Sequence, residues 1–228
     1  MAPRGASAKS TRTIAGPEDF AREFAVSRET TVHLETYAAL LARWQPAVNL
    51  VAAGTLGEVW SRHFADSAQL WRFAPNARTW LDLGSGAGFP GLVVAILGQG
   101  QGLEKITLIE SDQRKCAFMC DVVRRTGLAN TVDIIAERIE TVANASNRVA
   151  EVDIISSRAL APMVKLLQLA QPFFGVQTLG IFPKGRDIAA EITDARAKWA
   201  FDLELVQSST AVDARIALVR NLSRKPED

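Results

Sequence analysis

Asp82, Gly84, Gly86 and Gly88, followed by Pro90 and Gly91, are the residues of this 228-residue chain whose types and spacing point most directly to chemistry. They lie within residues 79–96, TWLDLGSGAGFPGLVVAI: an apolar run, an acid, a glycine-rich turn and a second apolar run opened by Pro90. Trp80, Leu81 and Leu83 read as the end of a buried strand, and the glycines permit backbone angles and close approaches that side chains would block. Pro90 suits a first helical position, so the amides around it face the turn and offer a partly positive surface to a polar or anionic group. Such a turn is built to hold a ligand.

Two glycine patterns overlap in it. Gly86, Gly88 and Gly91 satisfy G-x-G-x-x-G, the dinucleotide fingerprint, whereas Asp82, Gly84, Gly86 and Gly88 satisfy D-x-G-x-G-x-G, a pattern of S-adenosylmethionine enzymes. The next apolar strand, residues 105–109 (KITLI), ends at Glu110, roughly 20 residues past the glycines, where an acid accepts from ribose hydroxyls. Both cofactors carry such a ribose.

The elements that must position these groups alternate along the chain. From Ser27, Leu34, Tyr37, Leu41, Trp44 and Val48 form one apolar helical stripe, with Pro46 expected to end or kink it. A second helix is expected over residues 56–73, carrying Trp60, Phe64 and Trp71, with His63 and Asp66 one turn apart as a hydrogen-bonded pair that holds the helical region against the sheet. After Glu110 the pattern predicts a helix over 113–126 closed by Gly127, strands over 131–135 and 152–155, and a helix over 162–170. A strand over 176–182, a helix over 187–199 and final strands over 203–206 and 216–219 follow. Repeated strand, helix, strand predicts an α/β doubly wound sheet covered on both faces, and two last strands without an intervening helix require an antiparallel strand at the edge. The expected organisation is a disordered arm over 1–16, a small helical N-terminal region over 17–76 and the sheet domain over 77–228.

Composition sets the outer limits. Apolar residues make up 48% and charged residues 22%, as in a soluble globular protein, and no apolar run approaches the roughly 18 residues that span a membrane. The first 16 residues lack the apolar centre of a secretory signal, so a cytoplasmic protein is expected. Net charge is +1, from 26 basic and 25 acidic residues, and does not announce a nucleic-acid partner. Of the 26 basic residues 19 are Arg, a bias compatible with RNA but also with a high-GC genome. Cys116 and Cys120, with only His33 and His63 elsewhere, form neither a zinc site nor a disulfide framework, and are expected to be buried free thiols.

The close of the chain separates the two cofactors. A nicotinamide dehydrogenase needs a second substrate domain or a catalytic Tyr-Lys or His constellation, and here the single Tyr lies in the N-terminal helix. A seven-stranded sheet ending in an antiparallel hairpin is similar instead to the Rossmann-like S-adenosylmethionine methyltransferases.

The resemblance is more specific than that superfamily. Trp44 with Asn49 and Leu50, Arg62-His63 with Asp66-Ser67, DLGSGAGFPG over 82–91, Ser157-Arg158-Ala159 and Pro183-Lys184-Gly185 occur in an order that resembles the glucose-inhibited division protein B family. These are bacterial small-subunit ribosomal RNA guanine-N7 methyltransferases. Gln45 departs from the Asn expected after the Trp, and Val51 from the usual N-L-T.

The resemblance implies S-adenosylmethionine as cofactor, bound by Gly84 and Phe89 of the turn, by Ile139 and Glu140 after the third strand and by Arg158 after the fourth. Asp82, Gly86, Gly88 and Glu110 join that set from the glycine pattern and the strand end. Arg138, Arg158 and Lys184 are the candidate catalytic residues, basic groups at the strand-end face near substrate, the bland alternatives being pairing with Glu137, Asp153 or Asp187. No metal is expected. The implied partner is 16S ribosomal RNA or the small ribosomal subunit, with the enzyme a monomer. A methyltransferase acting on a small molecule or protein, or a non-catalytic cofactor-binding module, stands as the alternative.

Overall fold

A computed structural model describes residues 14–145, 149 and 151–226. Seven strands form one sheet: β1 (Thr79–Leu83), β2 (Lys105–Ile109), β3 (Val132–Ile135), β4 (Ile154–Ser156), β5 (Leu179–Lys184), β6 (Trp199–Gln207) and β7 (Arg215–Arg224). Their spatial order is β3-β2-β1-β4-β5-β7-β6. β3 through β5 pair in parallel, while β7 runs against both β5 and β6, giving the expected antiparallel pairing at the edge. The chain leaves β1 in one direction across the sheet and returns to β4 on its other side. The resulting crevice at the carboxyl ends of β1 and β4 is where open α/β sheets bind ligands.

Helices cover the sheet. These are α1 (Pro17–Phe24), α2 (Arg28–Val48), α3 (Asp66–Trp71), α4 (Gly91–Gly98), α5 (Gln113–Arg125), α6 (Ile139–Asn144), α7 (Met163–Ala170) and α8 (Ile188–Lys198). Every residue of α4 is buried, as its GLVVAILG sequence requires. It presses close to the sheet: a Cβ on Gly91 would lie 2.3 Å from Leu108 Cδ2 and 2.9 Å from Asp82 Oδ2, so only glycine fits there.

In α2, Ser27 caps the first turn by accepting from the Thr30 amide. The helix continues two residues beyond Pro46 and ends at Asn49, whose φ of 52° is left-handed. The Gln45 side chain holds that exit, accepting from the amides of Leu50 and Val51 at 2.9 and 3.0 Å and donating to the Val51 carbonyl at 2.6 Å. The two departures from the family pattern therefore touch each other.

The single helix expected over 56–73 is three pieces: a 3-10 turn (Ala53–Glu58), a π-helical turn (Trp60–Ala65) and α3. His63, Phe64 and Ala65 of the π-helical turn are all buried. The last two strands are longer than the apolar runs that announced them, because they also carry exposed polar residues such as Asp202, Glu204, Arg220 and Ser223. β5 begins later than expected, at Leu179, and Val176 is exposed.

The helical region is not a separate body. Phe20, Leu34, Tyr37 and Phe64 share one continuous core with Trp80, Leu92, Val94 and Phe118 of the sheet domain. Residues 1–13 of the expected arm lie outside the described residues, while Ile14 is already buried. Cys116 is buried, but Cys120, one turn further along α5 at the edge of its apolar stripe, is exposed, contrary to expectation. Among the described residues no helix is long and apolar enough to cross a membrane.

Candidate active site

The glycine turn leaves β1 over a buried acid. Asp82 is wholly inaccessible, its Oδ1 accepting from Ser156 Oγ at 2.7 Å and its Oδ2 from the Gly91 amide at 3.2 Å. Burial pushes its carboxyl up to about 6, against the opposing effect of those hydrogen bonds. It braces the turn from below and does not line the cavity.

Gly84, Gly86 and Gly88 have φ of 66°, 59° and 89°, yet they serve different ends. A Cβ on Gly88 would lie 2.4 Å from Leu92 Cδ1 and 2.9 Å from Tyr37 Oη, so Gly88 admits the helices rather than a ligand. A Cβ on Gly86 would meet nothing nearer than the Gly84 carbonyl at 4.0 Å. That open space is a cradle.

Glu110 sits beside it, nine-tenths buried, with Oε2 accepting from the Gly86 amide and Oε1 from the Asp112 amide, both at 2.8 Å. Each carboxylate oxygen retains a second lone pair, so ribose hydroxyls can still be received. The open Gly86 position and this acid together fit an adenosine-bearing cofactor.

Facing the turn across the crevice is Arg158, two residues past β4. Its Nη1 donates to the Arg62 carbonyl at 3.1 Å and toward Asp66 Oδ2 at 3.4 Å, its Nη2 donates to His63 Nδ1 at 3.0 Å, and its guanidinium lies 4.9 Å from the centre of the Phe89 ring. The His63 ring stacks on the same Phe89, with centroids 4.9 Å apart. Because Arg can only donate, His63 Nδ1 is the acceptor, and the Nε2 proton faces Thr55 Oγ1 at 2.9 Å. Burial first, then the charges of Arg158 and Arg62, push His63 down to about 4. His63 and Asp66 are thus not bonded to each other as expected; both bind Arg158, which joins the helical region to the sheet.

Lys184, at the end of β5, is nearly buried. Its Nζ donates to the Ala161 carbonyl at 2.9 Å and pairs with Glu191 Oε2 at 2.7 Å, a partner other than the Asp187 of the bland alternative. Glu191 also accepts from the Met163 amide at 2.7 Å, so one ion pair ties β5, α7 and α8 together.

A cavity of about 890 Å³ opens between these groups. Gly84, Gly86, Phe89, Arg158 and Lys184 of the expected set line it; Asp82, Gly88, Glu110, Arg138, Ile139 and Glu140 do not. Arg138 is an exposed residue preceding α6, Ile139 is buried in a core cluster with Leu81, Ile109 and Val142, and exposed Glu140 lies 3.7 Å from Lys165 Nζ. Their helix follows β3, two strands from β1. Sequence reasoning missed Arg62 and Thr55 as lining residues, and Thr210 of the β6–β7 turn, whose hydroxyl donates to Asp66 Oδ1 at 2.9 Å. The Arg62-His63 pairing in sequence was the available signal for the first.

Residues 30–219 match the GidB family model, described as rRNA small subunit methyltransferase G. The chain is 49% identical over 202 residues to the ribosomal RNA small subunit methyltransferase G of Methylorubrum populi, covering 89% of this chain and 93% of that protein. It is 45% identical over 210 residues to the protein of the same name from Parvibaculum lavamentivorans, covering 92% and 91%. Among solved structures it is similar to an SAH-bound methyltransferase of Podospora anserina (TM-score 0.59, 10% identity, 86% and 88% coverage). It is also similar to an O-methyltransferase of Bacillus cereus in complex with SAH (TM-score 0.56, 14% identity, 86% and 92% coverage). At such identities the structural likeness speaks for the fold.

Proposed function

The chain belongs to the GidB family of rRNA small subunit methyltransferase G proteins, and from that membership we propose that its target atom is N7 of a guanine in 16S ribosomal RNA. It is an S-adenosylmethionine-dependent methyltransferase of small-subunit ribosomal RNA. The observation that carries this reading is the open cradle at Gly86, set opposite the Arg158 cluster at the switch point of the sheet.

S-adenosylmethionine, when bound, supplies a methyl group made electrophilic by its positively charged sulfur. The turn from Gly84 to Phe89 and the Glu110 carboxylate would hold the cofactor, and Ile139 and Glu140 at the start of α6 would complete that side. Guanine N7 carries its lone pair in the neutral base, so no residue has to remove a proton. His63 suits that chemistry, since its Nδ1 already accepts from Arg158 and it stays neutral.

The contribution of the protein is alignment. A bidentate Arg fork on O6 and N7 would block the nucleophile, but the Arg158 fork is engaged by Asp66, His63 and the Arg62 carbonyl. It orders the crevice wall without capping N7. Lys184 shapes the opposite wall through Glu191, and Arg138 meets RNA outside the cavity. The guanine must be extruded from any stack to enter. Residues 17–76 act as a helical extension that closes one side of the crevice, residues 77–228 form the methyltransferase domain, and the enzyme works as a cytoplasmic monomer.

Mass mapping of ribosomal RNA from cells lacking the protein tests this reading. One guanine of the small-subunit RNA should lose a methyl group, and a plasmid copy should restore it. Unchanged small-subunit RNA, with a methyl group missing from a small molecule or protein instead, would reassign the substrate.

A further inference from the structure

Three side chains bring permanent positive charge to the cavity wall: Arg62, Arg158 and Lys184. Two are already committed, Arg158 to Asp66 and Lys184 to Glu191. The third is not. Arg62 is exposed on the π-helical turn, and among the described residues its guanidinium has no hydrogen-bond or ion-pair partner. Its main chain, by contrast, is fixed, because its carbonyl accepts from Arg158. The two carboxylates nearest the cavity, Asp66 and Glu191, are occupied.

We propose that Arg62 grips a backbone phosphate of the RNA at the mouth of the cavity, setting the register of the strand from which the target base enters. This rests on the RNA-methylation reading. A chain of net charge +1 has no diffuse field with which to hold a polyanion, so attraction must come from local unpaired cations. Guanidinium is the group whose fork matches phosphate oxygens in pairs. An exposed position at the rim suits a polymer that passes over the cavity, whereas the cofactor cradle at Gly86 lies at the floor of the turn. The wide π-helical turn presents Arg62 outward while burying its neighbour His63.

The test uses the full-length protein with small ribosomal subunits from cells lacking it. Arg62→Gln should weaken subunit binding at least tenfold at moderate salt, the lower end expected for one charged hydrogen-bonded contact. It should also reduce the slope of log affinity against log salt by about 1. Adenosylmethionine affinity by calorimetry and the thermal midpoint should stay at wild-type values, and Arg62→Lys should recover the salt slope. Unchanged subunit affinity and slope would overturn the proposal, as would a loss of adenosylmethionine affinity, which would turn Arg62 toward the cofactor. A wild-type protein that fails to methylate the particles would instead refute the RNA reading itself.

Discussion

The Tyr37 hydroxyl donates to the carbonyl of Ala87, at the heart of the glycine turn, and its ring stacks on Phe89 with centroids 5.2 Å apart. A helix fifty residues upstream thereby sets the shape of the cofactor turn. Burial holds the phenol well above its usual range, so it stays a donor at any working pH. Tyr37→Phe keeps the stack but strands a buried carbonyl, and should cost about 1–3 kcal/mol in denaturant unfolding. Calorimetry should show weaker adenosylmethionine binding in the same variant, since the turn loses its brace.

Gly86 and Gly88 should part company on substitution. Gly88→Ala drives a methyl group into Leu92 and Tyr37 in a left-handed conformation and should unfold or strongly destabilise the protein. Gly86→Ala meets open space and carries only the left-handed strain, about 1–2 kcal/mol, yet fills the cradle. It should fold and fail to bind adenosylmethionine. Thermal melts paired with calorimetric titration read both outcomes; equal binding by Gly86→Ala and wild type would move the cofactor elsewhere.

Lys184 should behave as a fold-holding residue before it behaves as a substrate contact. Lys184→Met leaves Glu191 without its partner, and the loss should fall at the low end of about 3–5 kcal/mol because a quarter of the Glu191 side chain remains exposed. A double-mutant cycle with Glu191→Gln should show coupling in urea unfolding. Additive losses would free Lys184 for a direct role at the RNA.

The sheet was legible because its strands are short apolar runs separated by turn residues, and the glycine turn because its spacing is a local property. What escaped reading was decided by contacts that only the packing of separate elements creates. Lys184 and Arg158 read as candidate substrate contacts, and their ion pairs with Glu191 of α8 and Asp66 of α3 appear only in the folded chain. Gly86 and Gly88 are identical letters in one motif, and only the packing of Tyr37 and Leu92 distinguishes them. The π-helical turn is a single turn, too short to leave a periodicity of its own in the sequence.

Stability in mild acid should be nearly flat for an unusual reason. His63, held down at about 4 against a usual 6.5, contributes stability that is complete above pH 6.5 and lost as pH falls toward 4. Asp82, raised to about 6 from 3.8, does the reverse: the fold takes up its proton first and gains stability as pH falls through 6. The two slopes oppose each other across almost the same window. Asp112, Asp121 and Asp153, held below the usual value, add losses only at lower pH. Urea midpoints at several pH values should therefore rise on acidification in His63→Gln and fall in Asp82→Asn, and identical profiles in both variants would discard the compensation.

The transfer step should lack a rate-controlling ionisation between about pH 6.5 and 8.5, where neutral imidazoles and thiols would otherwise announce themselves. His63, the one imidazole lining the cavity, stays neutral throughout, with its Nδ1 lone pair given to Arg158. Cys116 is pushed up to about 11 by burial and bonds to the Glu110 carbonyl, away from the cavity. Asp82 titrates near 6, below this window, and acts on the turn rather than on the base. Single-turnover rates with saturating cofactor and RNA isolate the step from binding. An inflection in this window that vanishes in His63→Gln would make His63 a proton acceptor, and a nucleophile other than a free N7 lone pair would then have to be sought.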